Sequence, residues 1–443
     1  MSAHSEAIGA EVLAMAADAI DRGLMNEPDG RPMGLALPGD GLGRSLSLAS
    51  GVQMIESFAH VHVVEAGESA IVFDTSVPDL GRSVADRINQ TVQNRVSHLV
   101  LTHGHRDHAG GAVQLRDRLV EFGSTAASVV SHEAVQARFD RYNLSDGYSR
   151  HVNHRQFGKR PNWDMSKGWA WDFPDIDIAF TDHFELEVDG LAVELHHVRA
   201  ETDDHLWAWI PERRVAVTGD LMLWHFPNAG NPSKVQRYPL EWARALRAVA
   251  AVRPTLLLPG HGYPIGGEER IAHVLTDTAE MLEDLTYATL ELMNAGADLD
   301  TVLASVRLDT ERLNTPWAAP TYDEPEFVVR NVWRLYGGWY GGRPSELKPA
   351  PTTEVSTEFA ELAGGAKVLA DRAEVLASEG RLRSACHLID AAADAAPEDR
   401  HVHAVRAEIY WHRREWEQSL MAAAIFESAA RDSARVAGVE LSD

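Results

Sequence analysis

Residues Thr102 to Gly111, THGHRDHAGG, place three histidines and an aspartate within six positions in the order H-x-H-x-D-H. Imidazole and carboxylate together suit borderline divalent cations. On a tight loop, alternate residues project to one side, so His103 and His105 can reach one ion while Asp107 and His108 reach a second. The glycines at 104, 110 and 111 let the backbone turn sharply and bring a following helix close. A lone H-x-H pair arises by chance on surfaces, but the full pattern following an apolar run is a much more specific signal.

The elements that must hold this loop are of α/β type. Strand-length apolar runs recur at Val61–Val64, Ala70–Phe73 and Val96–Leu101, and the last feeds straight into the histidine loop. AVQLRDRLVEF then has helical spacing, which puts the loop between a strand end and a helix start, where sites on α/β scaffolds lie. Further strands are expected at Ile176–Phe180, Phe184–Val188, Ala192–His196, Leu206–Ile210 and Val215–Thr218, and a last one at Thr255–Leu258 delivers Pro259-Gly260-His261-Gly262. Before residue 50 the reading is a helix at Ala7–Arg22 and a loop rich in Gly and Pro. Beyond about 270 the strand pattern stops and helical periodicity runs on. Around 355–432 it reads as paired helices, KVLADRAEVLASEG, SACHLIDAAADAAPED and HVHAVRAEIYWHRREWEQSL, after a Pro-rich joint at 347–354.

Composition narrows the chemistry. At 443 residues the chain exceeds what one core usually serves, so two or three domains are expected. Cys386 is the single cysteine, which rules out an intramolecular disulfide and cysteine-based zinc sites and fits a reducing, cytoplasmic compartment. Neither a secretory signal nor a membrane span is read in the sequence. The net charge of −25 opposes nucleic acid as a general partner.

THGHRDHAGG resembles the signature loop of the metallo-β-lactamase superfamily, an αββα sandwich that binds two metal ions at one edge. VTGD then places Asp220 at the family's bridging carboxylate, and LLPGHGYPIGG places His261 at its last ligand. The intervening stretch, HHVRAETDDHLWAWIPERRVAVTGD, is similar to the alkylsulfatase branch, which uses a glutamate nineteen residues before the bridging acid, the position of Glu201. His196, His197, Asp203, Asp204 and His205 remain rivals for that role. LELMNAG (290–296), YGGWYGGRPSELKP (336–349) and ELAGGA (361–366) look like parts of the alkylsulfatase dimerisation domain.

The resemblance implies a catalytic domain over 1–270, with an aromatic insert at about 137–172, and a helical, homodimerising domain over 271–443. It implies two divalent ions, Zn2+ by default with Mn2+ or Fe2+ as alternatives, and a metal-bound hydroxide attacking a small organic ester, with Asp107 and Asp220 as the catalytic carboxylates. An alkyl sulfate is the favoured substrate. Asn228 matches a substrate-binding asparagine of alkylsulfatases and Arg237 the second of two sulfate-gripping arginines. The first arginine has no counterpart: Lys234 is the nearest cation, a point charge in place of a bidentate fork. The insert, with Phe139, Tyr148, Phe157, Trp163, Trp169 and Trp171, is expected either to roof the substrate pocket, Tyr148 and Phe157 contacting substrate, or to bury against a second subunit. Two further readings stay open: hydrolysis of another ester or an activated ether, and a dimeric scaffold with a residual metal site.

Overall fold

The computed structural model describes residues 3–27, 31, 33, 42–157 and 171–441; Trp163 and Trp169 of the expected insert lie outside them. The described residues form two compact units, one of Met1–Arg150, Ser166–Ala295 and Val302–Tyr336, the other of His151–Met165, Gly296–Thr301 and Gly337–Asp443.

The first unit holds two sheets. One runs in the order β1 (Ser45–Ala49), β2 (Val52–Ile55), β3 (Val61–Ala66), β4 (Ser69–Phe73), β5 (Arg95–Val100), β6 (Ser128–His132) and β7 (Ile178–Phe180). The other contains β8 (His183–Val188), β9 (Leu191–Val198), β10 (His205–Ile210), β11 (Val215–Gly219), β12 (Leu256–Pro259) and β13 (Ile265–Gly266), ordered from β13 across to β8 at the edge. The long apolar runs of the sequence are strands buried on both faces. In β4, Ile71 and Phe73 pack with Leu195, Leu206 and Val217 between the sheets. Ala70 and Val72 pack outward with Val84, Leu115 and Phe139.

The helices of this unit are α1 (Ala3–Arg22), α2 (Gly81–Thr91), α3 (Arg106–Ala109), α4 (Ala112–Glu121), α5 (Ala134–Leu144), α6 (Asp146–Phe157, which runs into the second unit), α7 (Pro239–Ala251) and α8 (Glu268–Asn294), with further ones at Thr310–Leu313 and Pro325–Gly337. α8 buries Ile271, Val274, Leu275, Leu282 and Leu285 at helical spacing, and the buried hydroxyls of Thr278, Thr286 and Thr289 bond to carbonyls one turn back. The architecture is the expected αββα sandwich. β1, β2, β6 and β13 are strands that the sequence pattern did not reveal.

After β13 the described residues contain helices and no strands. In the second unit, helices at Ala366–Ser378, Leu382–Ala395, Arg400–Glu415 and Leu420–Ala437 share a core of Ala370, Ala373, Ile389, Val402, Val405, Ile409 and Ala430. The third helix was expected to run to 420. It stops at Glu415, and a new helix starts behind Ser419, whose side chain accepts the N–H of Ala422. No helix among the described residues is long and apolar enough to cross a membrane.

Where the insert is described, part of it packs into the core of its own chain. Phe139 is fully buried and stacks on Phe173 at 4.4 Å, with Trp171 5.7 Å away, so these rings extend the outer core of the first sheet. Tyr148 is 65% exposed, and Phe157 closes α6 within the second unit.

Candidate metal centre

Strand ends bring the histidine loop, Asp220 and His261 together. The loop leaves β5, Asp220 follows β11, and His261 follows β12, which pairs parallel to β11. Close approach explains two glycines. A Cβ on Gly260 would lie 2.6 Å from His108 Cε1 and 2.7 Å from Asp220 Oδ1, and one on Gly111 would lie 2.2 Å from the Thr75 carbonyl. Gly110 and Gly111 have ordinary negative φ, so they serve helix approach rather than a sharp turn.

Two groups of donor atoms result, each within 4.8 Å: His103, His105, Glu201 and Asp220, and beside it Asp107, His108 and His261. His103 Nε2 lies 2.7 Å from His105 Nδ1, and His105 Nδ1 lies 3.9 Å from Glu201 Oε1. Asp107 Oδ2 lies 3.3 Å from His261 Nε2 and 3.8 Å from His108 Nε2. Asp220 stands between the groups: Oδ2 is 3.8 Å from His103 Nε2, and Oδ1 is 3.2 Å from His108 Nε2 and 3.6 Å from His261 Nε2.

The residues fit a pair of divalent cations. His108 Nε2 and Asp220 Oδ1 are buried and have no hydrogen-bond partner among the described residues, a costly arrangement that a cation would relieve. Burial holds the His103 and His105 imidazoles well below their usual pKa, aided by His108 and Arg237 respectively. Burial also pulls His108 down, but Asp220, Asp74 and Asp107 outweigh it and raise that imidazole well above its usual value. Glu201 is pushed up to about 8 by burial and by Asp220, against the pull of Arg237. Packing three carboxylates and four imidazoles so closely is a strained charge arrangement without a cation.

A supporting shell, absent from the sequence reading, orients these groups. Asp74 accepts the His108 Nδ1–H at 2.7 Å together with the N–H and hydroxyl of Thr102. It does so from a left-handed backbone at φ 58°, a strained conformation of the kind that clusters at functional sites. Asp204 accepts the Gly104 N–H at 2.9 Å and Arg138 Nε at 2.8 Å, and the buried Arg138 also pairs with Asp203. Asp323 accepts the N–H groups of Gly230 and Asn231 and so anchors the loop carrying Asn228. Each of these contacts joins residues far apart in the chain.

The rivals to Glu201 lie outside both of these donor groups. Asp203 and Asp204 are occupied as above, His205 Nε2 accepts the Asp220 N–H at 3.2 Å, and His197 stacks on His132 at 3.6 Å. Of the residues matched to substrate contacts, Asn228 donates to Glu201 Oε1, and Arg237, 2% exposed, places Nη1 3.0 Å from the same oxygen. Lys234 is half-buried, its ammonium lowered to about 7 by burial and by Arg237, while Glu201 and Asp107 pull the other way. Tyr148 and Phe157 are in neither donor group.

Comparison with known proteins gives two family matches along the chain. Residues 55–261 match the metallo-beta-lactamase superfamily, and residues 299–435 match the family described as alkyl sulfatase dimerisation. A linear primary-alkylsulfatase from a Pseudomonas sp. is 26% identical over 335 residues, covering 68% of this chain and 60% of that protein. An (R)-specific secondary-alkylsulfatase, also from a Pseudomonas sp., is 26% identical over 371 residues, covering 79% and 56%. The chain thus spans three fifths or less of the length of these relatives. The solved structure of the stereoselective inverting sec-alkylsulfatase Pisa1 from Pseudomonas sp. superposes with a TM-score of 0.78 at 19% identity, covering 100% of this chain and 79% of that one, which shows the shared fold. The chain therefore carries a metallo-β-lactamase superfamily domain followed by an alkylsulfatase dimerisation domain.

Proposed function

We propose that this chain is a dinuclear metal-dependent hydrolase of small organic sulfate esters. In this reading His103, His105 and Glu201 hold one divalent ion, Asp107, His108 and His261 hold the other, and Asp220 serves both. The observation that carries it is the division of Asp220, whose Oδ2 faces His103 while Oδ1 faces His108 and His261. The names of the alkylsulfatase relatives make an alkyl sulfate the first substrate to try. Zn2+ suits this mix of imidazole and carboxylate, with Mn2+ or Fe2+ as alternatives.

Divalent ions bound there would lower the pKa of water toward about 7 and polarise the ester as Lewis acids. The chain's own residues do the rest. Asp74 fixes the His108 ring so that Nε2 faces the cluster. Asp107, with 21% of its side chain exposed against 4% for Glu201 and 8% for Asp220, is the carboxylate most open to an entering water. Asn228, Lys234 and Arg237 bring polar and cationic groups to the Glu201 side, where a sulfate anion would gain from them.

A second reading, hydrolysis of another ester or an activated ether, is favoured by one observation. Arg237, the bidentate cation that sulfate recognition would use, is already paired with Glu201. Metal-loaded protein incubated with a medium-chain alkyl sulfate should release inorganic sulfate, lose that activity on chelation and regain it on adding metal. Cleavage of a carboxylic ester without sulfate release would favour the second reading, and no turnover of either would reject both.

We also assign the catalytic part to residues 1–270 and a homodimerising part to 271–443. The match over 299–435 supports this, as do Trp339 and Leu362 of the second unit, exposed at 69% and 85%. The single cysteine supports a cytoplasmic setting.

A further inference from the structure

On β9, side chains alternate between the two faces of the second sheet. His197 faces the first sheet, where it stacks on His132 of β6 at 3.6 Å, so its neighbour His196 faces away from it. On that outer face His196 lies directly across from His183 of the edge strand β8, and the two rings are 4.8 Å apart. Glu194, two residues back on the same face, sets Oε2 3.3 Å from His196 Nε2. One donor atom from each of His183, Glu194 and His196 falls within 4.8 Å of the others.

We propose that His183, Glu194 and His196 form a separate binding site for a divalent transition-metal ion of the Zn2+ class, which staples the edge strand β8 to β9. Two imidazoles and a carboxylate are a sufficient donor set for zinc, with water completing the shell. The ligands sit on paired strands, and His196 is held flat on Trp207 at 4.4 Å, so little ordering is left for the ion to impose. A second observation points the same way. Glu185 lies directly across from Glu194, a like-charge pair that destabilises the ladder and that a cation beside it offsets. Burial and His183 lower the His196 imidazole, which favours its metal-binding neutral form. The edge strand is where such a staple has most to stabilise.

The inference is independent of the catalytic reading, because it concerns a difference of one ion between variants. Untagged protein carrying its own metal is equilibrated with rising Zn2+ alone, and bound zinc per chain and melting temperature are followed. Wild type should take up one ion more than His183→Ala or His196→Ala, and zinc should raise the melting temperature of wild type more than that of either variant. Glu194→Gln should bind the extra ion more weakly, while Glu187→Gln, on the same strand face, should match wild type. His183 is exposed, so His183→Ala keeps the test open should His196→Ala misfold against Trp207. Equal zinc counts in wild type and His183→Ala, or an equal zinc-induced rise in their melting temperatures, overturn the proposal.

Discussion

Asp74 Oδ2 lies 2.7 Å from His108 Nδ1, and the same carboxylate takes the N–H and hydroxyl of Thr102, each at 2.8 Å. One buried acid thus fixes both the ring of a candidate ligand and the start of the loop that carries His103 and His105. Asp74→Ala should lower metal affinity by roughly 10–100-fold, as loss of such supporting partners does. Asp74→Asn, which keeps an acceptor, should lose less. Competition with a chromophoric chelator measures both, and wild-type affinity in Asp74→Ala would count against the role.

Asp204 and Arg138 are both buried and joined at 2.8 Å, and Asp204 also holds Gly104. Asp204→Asn leaves a buried guanidinium poorly compensated and should cost about 3 kcal/mol of stability. Burial raises the Asp204 pKa, but Arg138 and Thr202 outweigh it and hold the carboxyl well below the usual range. For a depressed carboxyl, the stabilisation is complete above the unfolded pKa and is lost as pH falls through the folded one. The stability gap between wild type and Asp204→Asn should therefore be full above about pH 4 and narrow below it. Denaturant titrations at several pH values check this, and a gap that widens in acid would contradict it.

Glu201 is the residue that distinguishes this centre from a purely histidine-based one. Glu201→Gln removes a carboxylate 3.9 Å from His105 Nδ1 and should weaken one of the two bound ions. Glu201→His should recover binding better than Gln does, since imidazole is a good zinc ligand. If Asp204 or His205 were the ligand instead, Glu201→Gln would titrate like wild type while Asp204→Asn or His205→Ala carried the loss.

Metal uptake should release protons. In the metal-free chain His108 and His261 are raised by Asp220 and Asp107 against their burial, and Glu201 is raised to about 8, so these groups hold protons more tightly than usual. A cation must displace them, so affinity should climb with pH until about 8 is passed. Calorimetry in two buffers of different ionisation enthalpy should give different apparent heats; identical heats would contradict the assignment.

How much of this was legible depended on distance along the chain. The loop from His103 to His108 could be read because its ligands are contiguous and follow an apolar run. Glu201 emerged only through the resemblance to the alkylsulfatase branch, whose spacing from the bridging acid it matches. Asp74 could not, because parallel pairing of β4 with β5 brings it to Thr102 and His108 across about thirty residues. Arg138 reaches Asp204 across 66 residues, from a stretch read only as aromatic and basic. β1 escaped notice because SLSLA is short and directly follows a loop rich in Gly and Pro, and β6 because SVVSH offers only two large apolar residues. The break at Ser419 lay in a capping residue within a helical run, where propensity alone points to continuity.

Anomalous diffraction from crystals of the metal-loaded protein, recorded on either side of the metal edge, tests the central claim most directly. The account predicts two peaks at the centre of each chain. One should lie about 2.0–2.3 Å from ligand atoms of His103, His105 and Glu201, the other equally close to Asp107, His108 and His261, with Asp220 touching both. A single peak there, or one bound by Asp204 or His205 in place of Glu201, would contradict it.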